Sequence, residues 1–334
     1  MMEHKGAPKQ HAASIAHFFL IAFLVIIQTK SIVFDCRSQI ITQELLEDSI
    51  ASKDSNGFFH GISDDVWFHQ RHIAQNRKKY KTPDNPSENM ETPSRWYQNN
   101  WEPNLACVGE EMIGNMGDGH KWVCDPHRVE ELSLERSAKG QSKCLVYSIG
   151  SAGQFDFEES VQEHMPSCEI HVFDHIDHIS SIPSHLNISF HSWGLKPSYR
   201  TPFSAINESL PRHYRKFMSR SLKSPNFKTI HEIRRELGHE SRPIDIFKID
   251  CEGCEWFTYL DWIPLDIRQV QIEVHMTPPV AIPFFEAFHN ANFAIFHKEA
   301  NVMGPRGDCF EYSFIKMAPS FFGRELLKKK DSIS

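Results

Sequence analysis

Nowhere does this sequence carry a long run of Lys and Arg, and its formal charge of -7 is spread along the chain. The electrostatic footprint that a phosphate backbone demands is missing, so no nucleic-acid partner is expected. Asp-x-Asp is missing too. That argues against a lumenal glycosyltransferase with the usual metal and sugar-nucleotide site, the rival that a chain with a short anchor and a stem invites. There is no full G-x-G-x-x-G, so a dinucleotide pyrophosphate would lack its cradle. Cys251-Glu-Gly-Cys254 has no second C-x-x-C at zinc spacing, which speaks against a structural zinc module. No internal repeat recurs, which removes solenoids and propellers. No apolar run reaches the about 20 residues that span a bilayer; the longest stretch, Ile15 to Ile27, falls short.

That stretch is nevertheless informative by its place. Lys5 and Lys9 precede the uninterrupted run Phe18 to Ile27, which Gln28 and Lys30 close. An apolar segment behind lysines at an N-terminus reads as a targeting signal. Residues 28–35 offer no Ala-x-Ala cleavage pattern, which favours a type II signal anchor over a cleaved signal peptide. Residues 1–34 are therefore assigned to one or the other. The expected location is the secretory pathway, as a single-pass ER or Golgi membrane protein, or secreted if the segment is cleaved. Eight cysteines suit an oxidising lumen, and Cys107 and Cys124, which flank the Gly117-Asp-Gly119 turn, form the expected disulfide. Sequons at Asn187-Ile-Ser189 and Asn207-Glu-Ser209 agree with that compartment, Asn207 being the better acceptor. Residues 35–95 are polar and broken by Pro83, Pro86 and Pro93. They read as a stem or lead-in, with short helices near Glu44 to Ile50 and Asp64 to Phe68. Residues 321–334 read as a polar tail.

From Cys144 onward short apolar runs alternate with helical patterns, the mark of βαβ units and a parallel sheet covered on both faces. Strands are expected at Cys144 to Ile149, Glu169 to Phe173, Ile188 to His191, Ile244 to Ile249 and Val270 to Val274. Phe293 to Phe296 and Phe310 to Ile315 read as an antiparallel hairpin, and a polar insertion fills 196–226. The fold class is α/β, a mostly parallel twisted sheet with helices on both faces and a C-terminal antiparallel hairpin. In such sheets ligands sit beyond the carboxyl ends of the strands. Gly150-Ser151-Ala152-Gly153 ends the first strand, where glycines allow close backbone approach and a helix start offers free N–H groups. Asp174 ends the second, where an acid can accept ribose hydroxyls. Asp250 and Glu252, with Glu255 near them, end the fourth strand; Glu273 and His275 end the fifth. Glu252 and Glu255 could instead cap the following helix.

Ile244-Asp-Ile-Phe-Lys-Ile-Asp-Cys-Glu-Gly-Cys-Glu-Trp256 resembles the strand-and-turn signature of FkbM-type methyltransferases, and Val146 to Gly153 resembles their first motif, with Ser148 where an acid is usual. Gly117 to Pro126 resembles a segment of the animal methyltransferase-like branch. The resemblance runs from about Trp96 to Lys316, within an expected domain of 96–320. It implies a Rossmann-like fold and S-adenosylmethionine as cofactor, held at Gly150, Ser151 and Gly153, with Asp174 on the ribose and Trp193 against the adenine. It also implies methyl transfer to an oxygen of a small molecule or glycan, with Asp250, Glu252 or His275 taking the acceptor's proton. A binding module that keeps the fold without turnover is the alternative that Ser148 raises. No metal is expected, although Asp250, Glu252 and Glu273 are the oxygen donors a hard cation would choose. Cys251 and Cys254 stand where the family pattern often has small apolar residues and are expected to be buried thiols.

Overall fold

The computed structural model describes residues 58–76, 93–198, 223–275, 281–301 and 309–323, and a few single positions besides. The expected targeting segment, the helix expected near Glu44, the Asn207 sequon and most of the insertion and tail lie outside the described residues. Among the described residues no helix is long and apolar enough to cross a membrane.

Five strands form the parallel heart: β3 (Leu145–Ile149), β4 (Glu169–Phe173), β5 (Ser189–His191), β8 (Ile244–Ile249) and β9 (Ile267–His275). Two short pairs lie outside it, β1 (Glu110–Ile113) with β2 (Lys121–Cys124) and β6 (Gly194–Leu195) with β7 (Phe227–Lys228). With β10 (Phe293–Asn301) and β11 (Cys309–Lys316) the main sheet has seven strands in the order β10-β11-β9-β8-β3-β4-β5. The expected C-terminal hairpin is present, and β11 inserts antiparallel between β10 and β9. All residues of β3 and β8 are buried. Both faces of these strands are covered, which is why they read as nearly continuous apolar runs rather than alternating ones. Asp245 interrupts the run, and its carboxylate is satisfied by the Leu145 N–H and by Arg136.

One face carries α5 (Ile230–Glu236), α6 (Glu255–Trp262) and α7 (Ala281–Asn290), which bury Trp256, Trp262, Phe284 and Phe288 against Phe247 and Phe314. The other carries α3 (Pro126–Ala138) and α4 (Asp156–His164), whose Val129, Phe157 and Val161 meet Val146 and Ile246. Local chemistry sets these helix starts: Asp125 accepts the Arg128 N–H ahead of Pro126, and Thr229 with Glu232 forms a capping box. The β1–β2 hairpin lies across this second face, tied down where Gln269 exchanges two hydrogen bonds with the Cys124 backbone.

The polar lead-in is not a free stem throughout. α1 (Asp64–Asn76), which contains the helix expected near Asp64, packs onto the C-terminal turn Pro319–Phe322. Trp67 is fully buried against Phe59 and Phe321, and Arg71 donates to the carbonyls of Ser320 and Phe321. Trp96 and Tyr97 of α2 (Pro93–Asn99) are buried in the main core.

Three disulfides close local loops. Cys107–Cys124 is the expected one. Cys144–Cys168 joins the residue before β3 to the residue before β4. Cys251–Cys254 is a correction: both sulfurs were expected as thiols, but the tight turn after β8 brings their Cα atoms to 5.4 Å, within bridging range.

Candidate active site

Because β3, β4, β8 and β9 run parallel, their carboxyl ends deliver four clusters to one edge of the sheet. The chain passes from β3 outward to β4 and β5, then returns to β8 on the other side, so this edge includes the point where strand order reverses. A cavity of about 600 Å³ opens there, a size suited to a cofactor or drug-sized ligand. Gly150, Ser151, Asp174, Asp250, Glu252 and His275 all line it.

Gly150 has φ +82°, and a Cβ built there would lie 1.7 Å from the Asp250 carbonyl oxygen. Its freedom is therefore used first to let the ends of β3 and β8 cross closely. Lys248, buried on β8, donates to the Gly150 carbonyl at 2.6 Å and fixes the loop from below. Asp174 fixes it from the side. Its Oδ2 accepts the N–H groups of Ser151 and Ala152, both at 3.0 Å, and its Oδ1 accepts from Ile176 N–H at 2.9 Å. His175 Nδ1 also lies 3.5 Å from Oδ1, so Asp174 has a clasp role that the sequence did not disclose. Gly153 belongs to the same loop but does not line the cavity; a Cβ there would come 2.9 Å from His178. Trp193 is not brought to the cavity either. Its ring stacks on His191 at 4.7 Å and carries the Lys228 ammonium 3.5 Å from its centroid. Ile176, Leu195 and Phe227 supply the apolar wall instead.

Glu252 sits at φ +56°, a conformation costly for a residue with a Cβ, and its side chain is 80% exposed. Glu255, three residues on, is wholly buried and serves the structure: it accepts from Gly253 N–H, His275 N–H and His275 Nδ1. That leaves His275 Nε2 facing Glu252 at 3.4 Å and Glu273 at 4.0 Å. Burial, the largest single influence, favours neutral imidazole, but the carboxylates of Glu255, Glu273 and Asp250 together outweigh it and push His275 up to about 10. Asp250 is held down at about 2, because the charges of Lys121, Lys248 and His275 outweigh its burial. Glu273 is pushed up to about 9 by burial and by the neighbouring carboxylates of Asp250 and Glu311.

The residues that sequence reasoning missed come from non-local pairing. Lys121 of β2 is 1% exposed and donates to Glu311 of β11 at 2.9 Å, with Asp250 at 3.5 Å. Cys309 lies opposite His275 in register, and Glu311 lies opposite Glu273. Asn301, at the end of β10, donates to both Glu273 and Asp118, and Asp118 brings the Gly117–Gly119 turn to the cavity rim. Lys121 inside an otherwise short strand was the signal available.

A family model described as a methyltransferase domain matches residues 49–316. The chain belongs to that methyltransferase-domain family. No curated protein matches it. Among solved structures it is similar to the N-methyltransferase NodS from Bradyrhizobium japonicum WM9, at 9% identity and a TM-score of 0.30 over 57% of this chain and 97% of that one. It is also similar to Aeropyrum pernix fibrillarin bound to S-adenosyl-L-methionine, at 12% identity and a TM-score of 0.26 over 64% and 85%. A third, Methanococcus jannaschii fibrillarin pre-rRNA processing protein, has 9% identity and a TM-score of 0.29 over 62% and 82%.

Proposed function

We propose that the cavity binds S-adenosylmethionine and that the protein methylates an oxygen of a small molecule or glycan within the secretory pathway. The observation that carries this reading is the placement of Gly150, Ser151, Asp174, Glu252 and His275 around one cavity in a chain of the methyltransferase-domain family. The residues fit the cofactor: Asp174 lines the cavity at the end of β4, where an acid can accept a ribose hydroxyl, and Ile176, Leu195 and Phe227 give an adenine an apolar bed. The bound cofactor supplies a methyl carbon on a sulfonium, and transfer breaks that C–S bond as the acceptor oxygen bonds to carbon, leaving a neutral thioether.

A hydroxyl acceptor must lose its proton. Among the three residues expected to take it, His275 already holds a proton at neutral pH, and Asp250 is bound to Lys121 with little affinity for one. Glu252, whose carboxylate stands exposed at the mouth, is the base. Protonated His275 steadies its charge, and Glu255 positions His275. The three disulfides support an oxidising compartment, as does the N-terminal apolar segment.

Calorimetry of the full chain with S-adenosylhomocysteine tests the cofactor assignment. Binding is expected, and Asp174→Asn should weaken it by about 1–3 kcal/mol, the penalty for leaving buried polar groups poorly paired. Absence of binding to the unmodified chain would overturn the reading. Labelled S-adenosylmethionine with fractionated secretory-pathway extract then identifies the acceptor by mass.

A further inference from the structure

We propose that Glu273, His275 and Cys309 form a binding site for one divalent ion of the zinc class, with an open coordination position facing the cavity. One ligand atom from each of the three lies within 4.8 Å of the others. The grouping follows from strand geometry: Glu273 and His275 are two apart on β9 and so share a face, and Cys309 is the cross-strand partner of His275 on β11. A tetrahedral ion with bonds of 2.0–2.3 Å spaces its ligands by about 3.3–3.8 Å. Glu273 Oε1 already lies 4.0 Å from His275 Nε2, and the whole set, within 4.8 Å, closes on an ion by contracting by up to about 1 Å.

Two further observations point to an ion rather than to chance proximity. The nitrogen ligand is oriented from behind, as metal ligands usually are, and the oxygen ligand is held in place by a neighbouring amide. The wholly buried Glu255 accepts from His275 Nδ1 at 3.0 Å, which turns Nε2 toward the cavity, and Asn301 holds Glu273 Oε1 at 2.9 Å. Cys309 is also the free cysteine among the described residues, whose other six cysteines are paired. A thiol and an imidazole select zinc-class ions over magnesium or calcium, which prefer oxygen. Three protein ligands with a vacancy is the pattern of zinc sites that bind a reacting oxygen. Glu252, 3.4 Å from Nε2, borders that vacancy; an ion on Nε2 replaces the proton there and its charge takes over the imidazolium's part beside Glu252, so an acceptor hydroxyl held on the ion would lie next to the base. This last consequence rests on the methyltransferase reading; binding of the ion does not.

The test uses the full chain purified without chelator. Elemental analysis should find about one zinc per chain, and cobalt(II) put in its place should give a thiolate-to-cobalt charge-transfer band. Cys309→Asp should keep the ion and lose the band, while His275→Gln should weaken zinc affinity at least tenfold. No ion and no cobalt band in the unmodified chain would overturn the proposal, as would a band that survives in Cys309→Asp. S-adenosylhomocysteine binding is measured separately. Cofactor binding without the ion sinks this inference alone, whereas the ion without cofactor binding sinks the methyltransferase reading alone.

Discussion

Glu252 is held in a left-handed turn by Gly253 and the Cys251–Cys254 bridge, with its carboxylate in the cavity mouth. Replacing it with Gln keeps shape and removes the proposed base, so turnover should fall by about a hundredfold or more while cofactor affinity and melting temperature hardly change. A lowered melting temperature with intact turnover would show that Glu252 only serves the turn. The same cluster sets a pH dependence in chelator-treated protein. His275 is raised to about 10 and Glu273 to about 9 in the fold, both above their ordinary values. Groups raised on folding contribute stability below their unfolded pKa and lose it as pH rises through the folded value. The urea midpoint should therefore decline from about pH 4.5, where unfolded Glu273 titrates, to about pH 10, and His275→Gln should flatten the part above about pH 6.5. Asp250, depressed to about 2, works the other way and loses its contribution only below about pH 4.

At the scale of elements, the β1–β2 hairpin contributes most that the sequence concealed. It is local in sequence but lies across β9 and β11, and it drives Lys121 into a pocket of carboxylates. Removing one partner of a buried ion pair strands the others, so Lys121→Met should cost about 3–5 kcal/mol in urea unfolding. Adding Glu311→Gln should recover part of that loss. The parallel strands were legible because burial on both faces leaves continuous apolar runs such as Leu145 to Ile149. Asp174, Asp250, Glu252 and His275 were legible because parallel strands must end at one edge. Cys309, Lys121 and Glu311 were not, since their meeting depends on β11 inserting beside β9 and on the hairpin's tilt. No local pattern encodes either. Trp193 was misplaced for a related reason: stacking on His191 and Lys228 satisfies it away from the cavity.

For the whole molecule, the boundary between lead-in and domain moves toward the N-terminus. Polar composition suggested a stem up to residue 95, yet α1 buries Trp67 against the C-terminal turn. Composition hides such docking because a few scattered residues supply it, Phe59, Trp67 and Ala74 by packing and Arg71 and Gln75 by hydrogen bonds. Trp67→Ala should cost about 3–5 kcal/mol, read as a lower melting temperature and as proteolysis beginning in 58–76. An unchanged melt would show that this segment rides on the surface without supporting it. The disulfides carry a different consequence. Each bridge joins cysteines consecutive in sequence, and none spans another. In the proposed secretory location, a chain entering an oxidising lumen from its N-terminus therefore presents each partner before the next pair arrives. From Cys107 onward the native connectivity can be reached by closing each thiol on its nearest successor, with no wrong bridge to be reshuffled.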